Sequence, residues 1–405
     1  MRDLYGVQSA RPARSPAVAR SRAAGPGREN EARYEFLPVE GEGLHQIPVG
    51  PVHAGIIEPG HFRFTANGET VVRLEERLGY VHKGVEGCWP APTIERGARI
   101  VGRISGRQHG RLCLGLRPRG RGGARLDGAA ARACCCARVM AELERLAQPH
   151  QRCRRDLQRR QRARRSTPTA RRCARTCCAA PHACFGHRLM MDRVVPGGVA
   201  ADLSADGVGA IRGLLRATRG DARRDPAGLR LAAVAAGSHR HRPASFRPSW
   251  SASTPPAALS AAPAGRAFDA RKRLSPMRPT TGSTSTLKTR TAGDVDARLL
   301  VRMDEIEREL PILAPAAWPR WRRAQIRADA GRRGGRGRGA GRGLPRRCLR
   351  ERASWRPTAG SLAVHARDAS WFQWPLLEAA IEGNIVADFP LCNKSFNCSY
   401  SGHDL

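Results

Sequence analysis

The stretch Gly41 to Glu86 reads GEGLHQIPVGPVHAGIIEPGHFRFTANGETVVRLEERLGYVHKGVE, and its apolar spacing and turn residues agree with one another. Phe62 and Phe64 alternate with polar residues, as they would on one face of a β-strand. Val72 and Leu74 repeat the pattern, as expected for a strand that returns beside the first. This agreement between spacing and turns is rare elsewhere in the chain.

The turn of this hairpin is expected at Asn67-Gly68, a dipeptide typical of two-residue type I′ turns, which need positive φ at both positions. The sequence therefore predicts a β-hairpin unit over residues 50–78. The loop that precedes it is rich in ionisable groups and contains His53, Glu58 and His61.

The strings GPVHAGIIEPGHFRF and RLGYVHKGVE resemble the large subunit of complex I-related nickel–iron hydrogenases of the formate hydrogenlyase and hydrogenase-4 type. That large subunit is homologous to the quinone-site subunit of NADH-quinone oxidoreductase, which is respiratory complex I. The resemblance implies an α+β fold, with a mainly helical core like that of hydrogenase large subunits and an N-terminal β-hairpin unit. We expect a disordered segment over residues 1–33, and a single domain of this kind over residues 34–405.

The charge balance is unusual, because 71 Lys and Arg face 35 Asp and Glu, giving a net charge of +36. Lysine contributes four of the basic residues, whereas basic nucleic-acid-binding proteins usually mix both types. Aromatic residues make up 5%, too few to pack a core of this length well. An Arg-rich nucleic-acid-binding protein stays an alternative, but no helix-turn-helix or zinc-finger pattern accompanies the charge.

Much of the arginine lies in stretches that resemble the family only after a change of reading frame. Permitted codons for RQHGRLCLGLRPR, after Gly106, give DSTVAYALAF when read one base later, and two other stretches behave similarly. We interpret the chain as in-frame blocks separated by frame-shifted, disordered segments, and a non-functional product is a second alternative. The shifted segments are residues 107–138, 148–182, 217–264, 272–291 and 313–363.

The in-frame blocks predict helices. Asp294 is expected to cap the strongest of them, within which Asp304 and Arg308 can pair one turn apart. A turn at Pro196-Gly197-Gly198 should follow a helix that includes His187, Arg188 and Asp192. The predicted helices cover residues 93–106 with Thr93 as N-cap, 139–147, 183 onward, 294–310 and 375–382, whereas residues 320–356 are expected to lack packed structure.

The resemblance implies a nickel site held by four cysteines in two CxxC motifs, and this sequence departs from it. Ser105 occupies the first cysteine position of the first motif. Ser399 and Gly402 occupy the positions of the second motif, while Cys398 falls one place early and Cys392 six residues before that. We expect the nickel–iron site to be lost and no metal to be bound.

A second cysteine-rich region does not predict a metal site either. Consecutive cysteines cannot all reach one tetrahedral zinc ion in CxxC geometry. This argues against a zinc site formed by Cys134, Cys135, Cys136, Cys173, Cys177, Cys178 and His182.

The resemblance also implies a cleft in which the hairpin loop meets the C-terminal tail. Glu58 corresponds to a proton-passing glutamate, and His53 and His61 are candidates for bonding a quinone headgroup. The opposite side of the cleft is expected to contain Asp388, Ser399 and His403 as cofactor-binding residues. Surface histidines bonded to backbone are the alternative interpretation for His53 and His61.

These expectations describe an oxidoreductase subunit, acting on NAD(P)H with a quinone acceptor or in a hydrogenase-like way. Electrons would come from an iron–sulfur cluster in a partner subunit and pass toward a quinone or protons. The sequence has no run of about 18 apolar residues, so membrane subunits would anchor it at the cytoplasmic face of the membrane.

Overall fold

The computed structural model describes residues 35–53, 57–85, 87–88, 94–105, 133, 135–147, 168–195, 198–224, 289–314, 338–342, 350–356, 361–365 and 368–404. Within these ranges the chain combines helices with small antiparallel sheets, which confirms the α+β class. The prediction that residues 1–33 are disordered lies outside them.

The N-terminal sheet contains the predicted hairpin. Strands β1 (Leu44–Val49), β2 (His61–Asn67) and β3 (Thr70–Arg77) lie in that order and pair antiparallel. Phe62 and Phe64 of β2 are fully buried on one face, as their alternation predicted. The hairpin unit is therefore confirmed.

The hairpin turn lies one residue later than predicted. Asn67 pairs with Thr70, so the two-residue loop is Gly68-Glu69. Gly68 has a φ of 57°, but Glu69 does not have a positive φ, which excludes type I′. Glycine at the first central position is the preference of a type II′ turn, the other turn that suits the strand twist.

A β-bulge changes which residues of β3 face the core. The pairing register between β2 and β3 shifts at Thr65/Ala66. Val71 is consequently buried beside Leu74, while Val72 is 48% exposed. The prediction that Val72 and Leu74 share a face is wrong, because one extra residue in a strand inverts the alternation beyond it.

The C-terminal elements pack on this sheet. They are a 3₁₀ turn (Ala369–Phe372), α6 (Trp374–Ile381), a second 3₁₀ turn (Val386–Asp388) and α7 (Phe389–Phe396). Pro375 occupies the first turn of α6 and Gly383 follows it with a φ of 74°, as predicted for a helix over 375–382. After α6 the chain pairs with the tip of β3, where Val71 N donates to Asn384 O at 2.7 Å.

Two further predicted helices flank this core. Helix α1 (Ile94–Val101) ends earlier than expected, with Ala98 and Val101 buried; Thr93 lies outside the described residues. Helix α5 (Val295–Glu309) begins at the predicted cap, because the Asp294 carboxylate accepts from Ala297 N at 2.7 Å. The partner shown for Asp304 is Arg290, at 2.8 Å.

A second core lies among α2 (residues 133 and 135–147), α3 (Pro168–Phe185), α4 (Ala205–Arg224) and the end of α5. The predicted helix over 139–147 is confirmed and is longer. Helix α3 lies mostly in a segment that we expected to be disordered, so that expectation is wrong there. Ala and Arg favour helix, and Cys177, Ala180 and Cys184 give α3 a buried apolar stripe.

The segment after α3 is not the predicted helix. Met190 and Asp192 have positive φ of 53° and 57°, which a right-handed helix does not contain. His187 Nδ1 accepts from Leu189 N at 3.1 Å and from Met191 N at 3.2 Å, which fixes a turn. Strands β4 (Val194–Val195) and β5 (Gly198–Val199) then pair with each other, while residues 196–197 of the predicted turn lie outside the described residues.

A third sheet forms where we expected no packed structure. Strands β6 (Arg338–Arg342), β7 (Arg350–Arg356) and β8 (Ser361–His365) pair antiparallel in that order. The expectation for residues 320–356 did not include the pairing of β6 with β7. That expectation considered only how much apolar side-chain area the segment can bury. The hydrogen bonds between paired strands use backbone groups, which every non-proline residue has.

Candidate functional site

The loop before β2 is held by hydrogen bonds from its histidine side chains to its own backbone carbonyls. His61 Nδ1 donates to Gly50 O at 3.0 Å, and His53 Nε2 donates to Glu58 O at 3.3 Å. A Cβ at Gly50 would lie 2.1 Å from Gly60 O, so these two backbone segments touch directly. Both histidines thus make the backbone contacts of the alternative interpretation, and their quinone role stays a prediction.

The same loop lies against the C-terminal tail. A Cβ at Gly60 would be 3.0 Å from Cε1 of Tyr400, and the rings of Phe62 and Tyr400 meet edge to face at 6.4 Å. The carboxylate of Glu58 is close enough to raise the pKa of Tyr400, although burial is the larger cause. The loop and the tail therefore meet, despite lying at opposite ends of the chain.

The tail is held in place by buried polar contacts. Ser399 N donates to Ser370 Oγ at 2.8 Å, and Ser399 Oγ accepts from Gly402 N at 3.0 Å. The Asp404 carboxylate is fully buried and accepts from Val81 N at 3.0 Å. This carboxylate therefore fastens the end of the chain to the segment that follows the hairpin.

The positions that the resemblance assigns to the two CxxC motifs are adjacent. Ser401 Oγ donates to Ile104 O at 3.0 Å. Ile104 precedes Ser105, and Ser401 lies between Ser399 and Gly402, so the bond joins the two motif positions. We call the place where loop, first motif and tail meet the junction cleft. Its residues are Gly60, Ile104, Ser105, Ser399, Tyr400 and Ser401.

The residues at the former ligand positions do not fit a thiolate-bound metal. Ser105 and Ser399 offer hydroxyls where nickel needs thiolates. A Cβ at Gly402 would lie 2.8 Å from Cγ of Asp368, so a larger side chain would collide with this residue. Within the described part of the chain, no three His, Cys, Asp or Glu side chains are grouped to hold a metal ion.

The two C-terminal cysteines also lack the features of metal ligands. Cys392 is fully buried, and burial raises the pKa of its thiol to about 12, which keeps it protonated at neutral pH. Cys398 Sγ lies 3.8 Å from Gln373 Oε1. Both behave as small core residues with weak hydrogen bonds.

The remaining predicted site residues, Asp388 and His403, contact different parts of the C-terminal segment. Asp388 ends the second 3₁₀ turn, close enough to Cys392 to affect its pKa. His403 Nδ1 lies 3.2 Å from Asp404 Oδ1, with its ring 5.6 Å from that of Trp371. The hairpin segment lies against the tail through Gly60 and Phe62, which both approach Tyr400.

Two buried arginines form hydrogen bonds to Ser395 of α7. Arg298 Nε donates to Ser395 Oγ at 2.9 Å, Arg298 Nη1 donates to Gly293 O at 2.7 Å, and Arg302 bonds the Ser395 carbonyl. Burial lowers the pKa of Arg298 to about 10, so it remains charged at pH 7. The Asp294 cap and Arg298 thus serve to position the helix that precedes the tail.

Sequence reasoning missed Glu76 and Glu378. Glu76 N donates to Glu378 Oε1 at 2.9 Å, which joins β3 to α6. A signal for Glu76 was present, because it follows Leu74 by two residues and so belongs on the same buried face. Glu378 gave no such signal, since its place against β3 depends on the packing of elements that are 302 positions apart in the chain.

Comparisons with known proteins concern part of the sequence and the fold. A search of protein-family models finds no match. The chain is similar to formate hydrogenlyase subunit 5 of Escherichia coli K12, with 43% identity over 54 residues, 13% of this chain and 10% of that protein. It is also similar to hydrogenase-4 component G of the same organism, with 45% identity over 53 residues, again 13% and 10%.

In structure the chain is similar to a chain of the membrane-bound sulfane sulfur reductase, an archaeal respiratory membrane complex. The TM-score is 0.75 at 16% identity, over 91% of this chain and 100% of that one, a likeness that concerns the fold alone. The chain matches about a tenth of the length of the curated relatives. The resemblance to hydrogenase-like large subunits of membrane complexes is thereby confirmed.

Proposed function

We propose that this chain is the large subunit of a membrane-associated, hydrogenase-like redox complex that works without a nickel site. The observation that carries the proposal is the junction cleft, where Ser401 Oγ binds Ile104 O across 297 positions of sequence. This hydrogen bond supports the proposal because it brings together the positions that the resemblance assigns to the two CxxC motifs.

The chemistry proposed for the cleft is proton and quinone chemistry. Glu58 would pass protons, and His53 and His61 would bond a quinone carbonyl from the loop side. Asp388, Ser399 and His403 would line the opposite side. Carboxylates and imidazoles in a partly dry cleft are groups suited to these tasks.

Electrons would reach the cleft from outside the chain. An iron–sulfur cluster in a partner subunit is the proposed donor, since the described cysteines show no arrangement that would hold a cluster. Membrane subunits would supply the anchor at the cytoplasmic face, and no helix in the described ranges is long and apolar enough to cross a bilayer. The activity would be that of an oxidoreductase subunit.

The test is to purify the chain, tagged at one end, from membranes of its own host. We expect it to sediment with membranes, to be released with its partners by mild detergent, and to elute with an iron–sulfur signal in electron paramagnetic resonance. A variant with Ser401→Ala and Gly60→Ala together serves as control, because it weakens the junction cleft. Recovery of the wild-type chain alone, or on nucleic acid, would reject the proposal.

A further inference from the structure

The side of β3 that faces α6 contains a buried acid. Glu76 pairs with Phe62 in the sheet, and its backbone N–H is bound by Glu378 Oε1 at 2.9 Å. The residue is partly buried as a whole, but both carboxylate oxygens are inaccessible to solvent. No described residue places a hydrogen-bond donor on either oxygen.

The helix opposite offers buried donors that also lack acceptors among the described residues. Trp374 Nε1 and Gln373 Nε2 are such atoms, on residues that are 3% and 0% exposed. Trp374 lies one turn before Glu378 on α6, and its ring packs on Tyr400 at 4.8 Å. Buried polar atoms of this kind are normally satisfied by ordered water.

The charged and titratable groups around Glu76 come from three elements. Glu378 of α6 is the nearest acid, Cys392 faces it from α7, and Tyr400 from the tail. Burial raises the pKa of Glu76 well above its usual value, and the negative charge of Glu378 raises it further. Burial also raises the pKa of Glu378 to about 7, and the nearby charges of Glu75 and Glu382 act in the same direction.

We propose that Glu76 and Glu378 form a buried acid pair that holds a proton at neutral pH. The pair is separate from Glu58, which lies on the exposed loop.

Geometry favours a proton-holding role over a purely structural one. A structural glutamate in a core is expected to have charged or hydrogen-bonding partners for its oxygens. Glu75 has them, since Leu37 N donates to its Oε1 at 3.2 Å and Arg73 Nε forms an ion pair with its Oε2 at 3.4 Å. Glu76 has neither contact, although it is the next residue along the strand. An ionised carboxylate there would be costly, and a protonated one would not.

The test uses infrared difference spectroscopy of the full chain in H₂O and D₂O. At about pH 9, where Glu378 is ionised, we expect a carbonyl stretch of a protonated carboxylic acid that shifts on deuteration. Glu76→Gln should remove it. Glu75→Gln, the matched control on the adjacent residue, should leave it unchanged. Persistence of the band in Glu76→Gln, or its absence from the wild-type chain, would overturn the proposal.

A second variant covers the case in which Glu76→Gln does not fold, as judged by circular dichroism. Glu378→Gln keeps the side-chain oxygen that accepts from Glu76 N but removes the second acid. We expect it to abolish a carboxyl titration near pH 7 while keeping the Glu76 band. An unchanged titration would reject the pair.

This inference adds a proton site to the proposed redox function, and its test is independent of that function. The spectra require no partner, donor or acceptor. Failure of the infrared test would remove the acid pair and leave membership of a redox complex standing. Failure to find partners would have the opposite effect.

Discussion

Ser401 Oγ donates a hydrogen bond to the backbone carbonyl of Ile104, 3.0 Å away and 297 positions earlier in the chain. Both residues are buried. A buried carbonyl that loses its donor retains the desolvation penalty, so this contact between two distant segments should contribute to stability.

Ser401→Ala should therefore destabilise the chain by about 1–2 kcal/mol, because Ile104 O would be left buried and unbonded. The measurement is the midpoint of urea unfolding followed by tryptophan fluorescence. Glu69→Gln, in the exposed hairpin turn, is the control and should change the midpoint little. Equal midpoints for Ser401→Ala and wild type would show that the contact does not support the fold.

We predict that the purified chain contains no stoichiometric nickel and shows no hydrogen-dependent dye reduction. The physical reason is the hydroxyls of Ser105 and Ser399 and the missing side chain of Gly402 at the ligand positions. Mass spectrometry of the metal content is the measurement. Nickel at one atom per chain would mean that the assignment of these positions is wrong.

Gly402→Cys should fail to restore nickel and should lower stability by about 2 kcal/mol, because its Cβ would collide with Cγ of Asp368 at 2.8 Å. Asp368 is itself fixed, since it accepts from Ser370 N at 2.8 Å at the start of the 3₁₀ turn. Thermal unfolding followed by circular dichroism measures the loss. A variant as stable as wild type would show that Asp368 can move aside.

The sequence predicted the hairpin and the cap of α5 because each depends on local chemistry. Asp294 caps α5 through a bond three residues away, and the alternation of Phe62 and Phe64 is a property of one strand. Errors arose where one residue changes the geometry. The bulge that exposes Val72 has no local signature, since Val is acceptable on either face.

Larger errors arose where tertiary packing, rather than local sequence, determines whether an element forms or a residue is buried. Helix α3 contains Pro181 and several arginines, yet its buried stripe packs against α4 and stabilises the helix. Glu378 could not be recognised, because its significance depends on β3 lying opposite. The junction cleft itself was inferred from the family resemblance; its closure through Gly60 and Tyr400 is visible only in three dimensions.

Glu378→Gln should change the pH dependence of stability. The pKa of Glu378 is raised from 4.5 to about 7 in the folded chain, mainly by burial, so the folded state binds more protons than the unfolded state between these values. The free energy of unfolding therefore falls as pH rises through this window, by up to about 3 kcal/mol.

The glutamine variant should lose this contribution and become relatively more stable at pH 8 than at pH 4.5. Urea unfolding at several pH values measures the difference between variant and wild type. Glu69→Gln, an exposed acid in the hairpin turn, is the control and should run parallel to wild type. A curve for Glu378→Gln that ran parallel to that of wild type would show that the pKa of Glu378 is not raised in the folded chain.

The closure of the hairpin loop onto the tail can be tested by a double-mutant cycle. Gly60→Ala places a methyl group 3.0 Å from Cε1 of Tyr400 and 3.2 Å from Cζ of Phe62. We expect a loss of roughly 1–2 kcal/mol, because buried rings leave no room for the added atom. Tyr400→Leu removes the ring, so the double variant should recover part of the loss, with a coupling free energy of about 1 kcal/mol.

The control is Gly68→Ala, which is destabilising for a different reason. Gly68 has a φ of 57°, but no atom lies within 4 Å of its added Cβ. Its cost comes from backbone strain and should be the same with Tyr400 or Leu at position 400. Coupling at Gly60 but not at Gly68 is expected only if loop and tail touch in solution. If both glycines gave additive effects with Tyr400→Leu, the two ends would not meet there and the junction cleft would not exist.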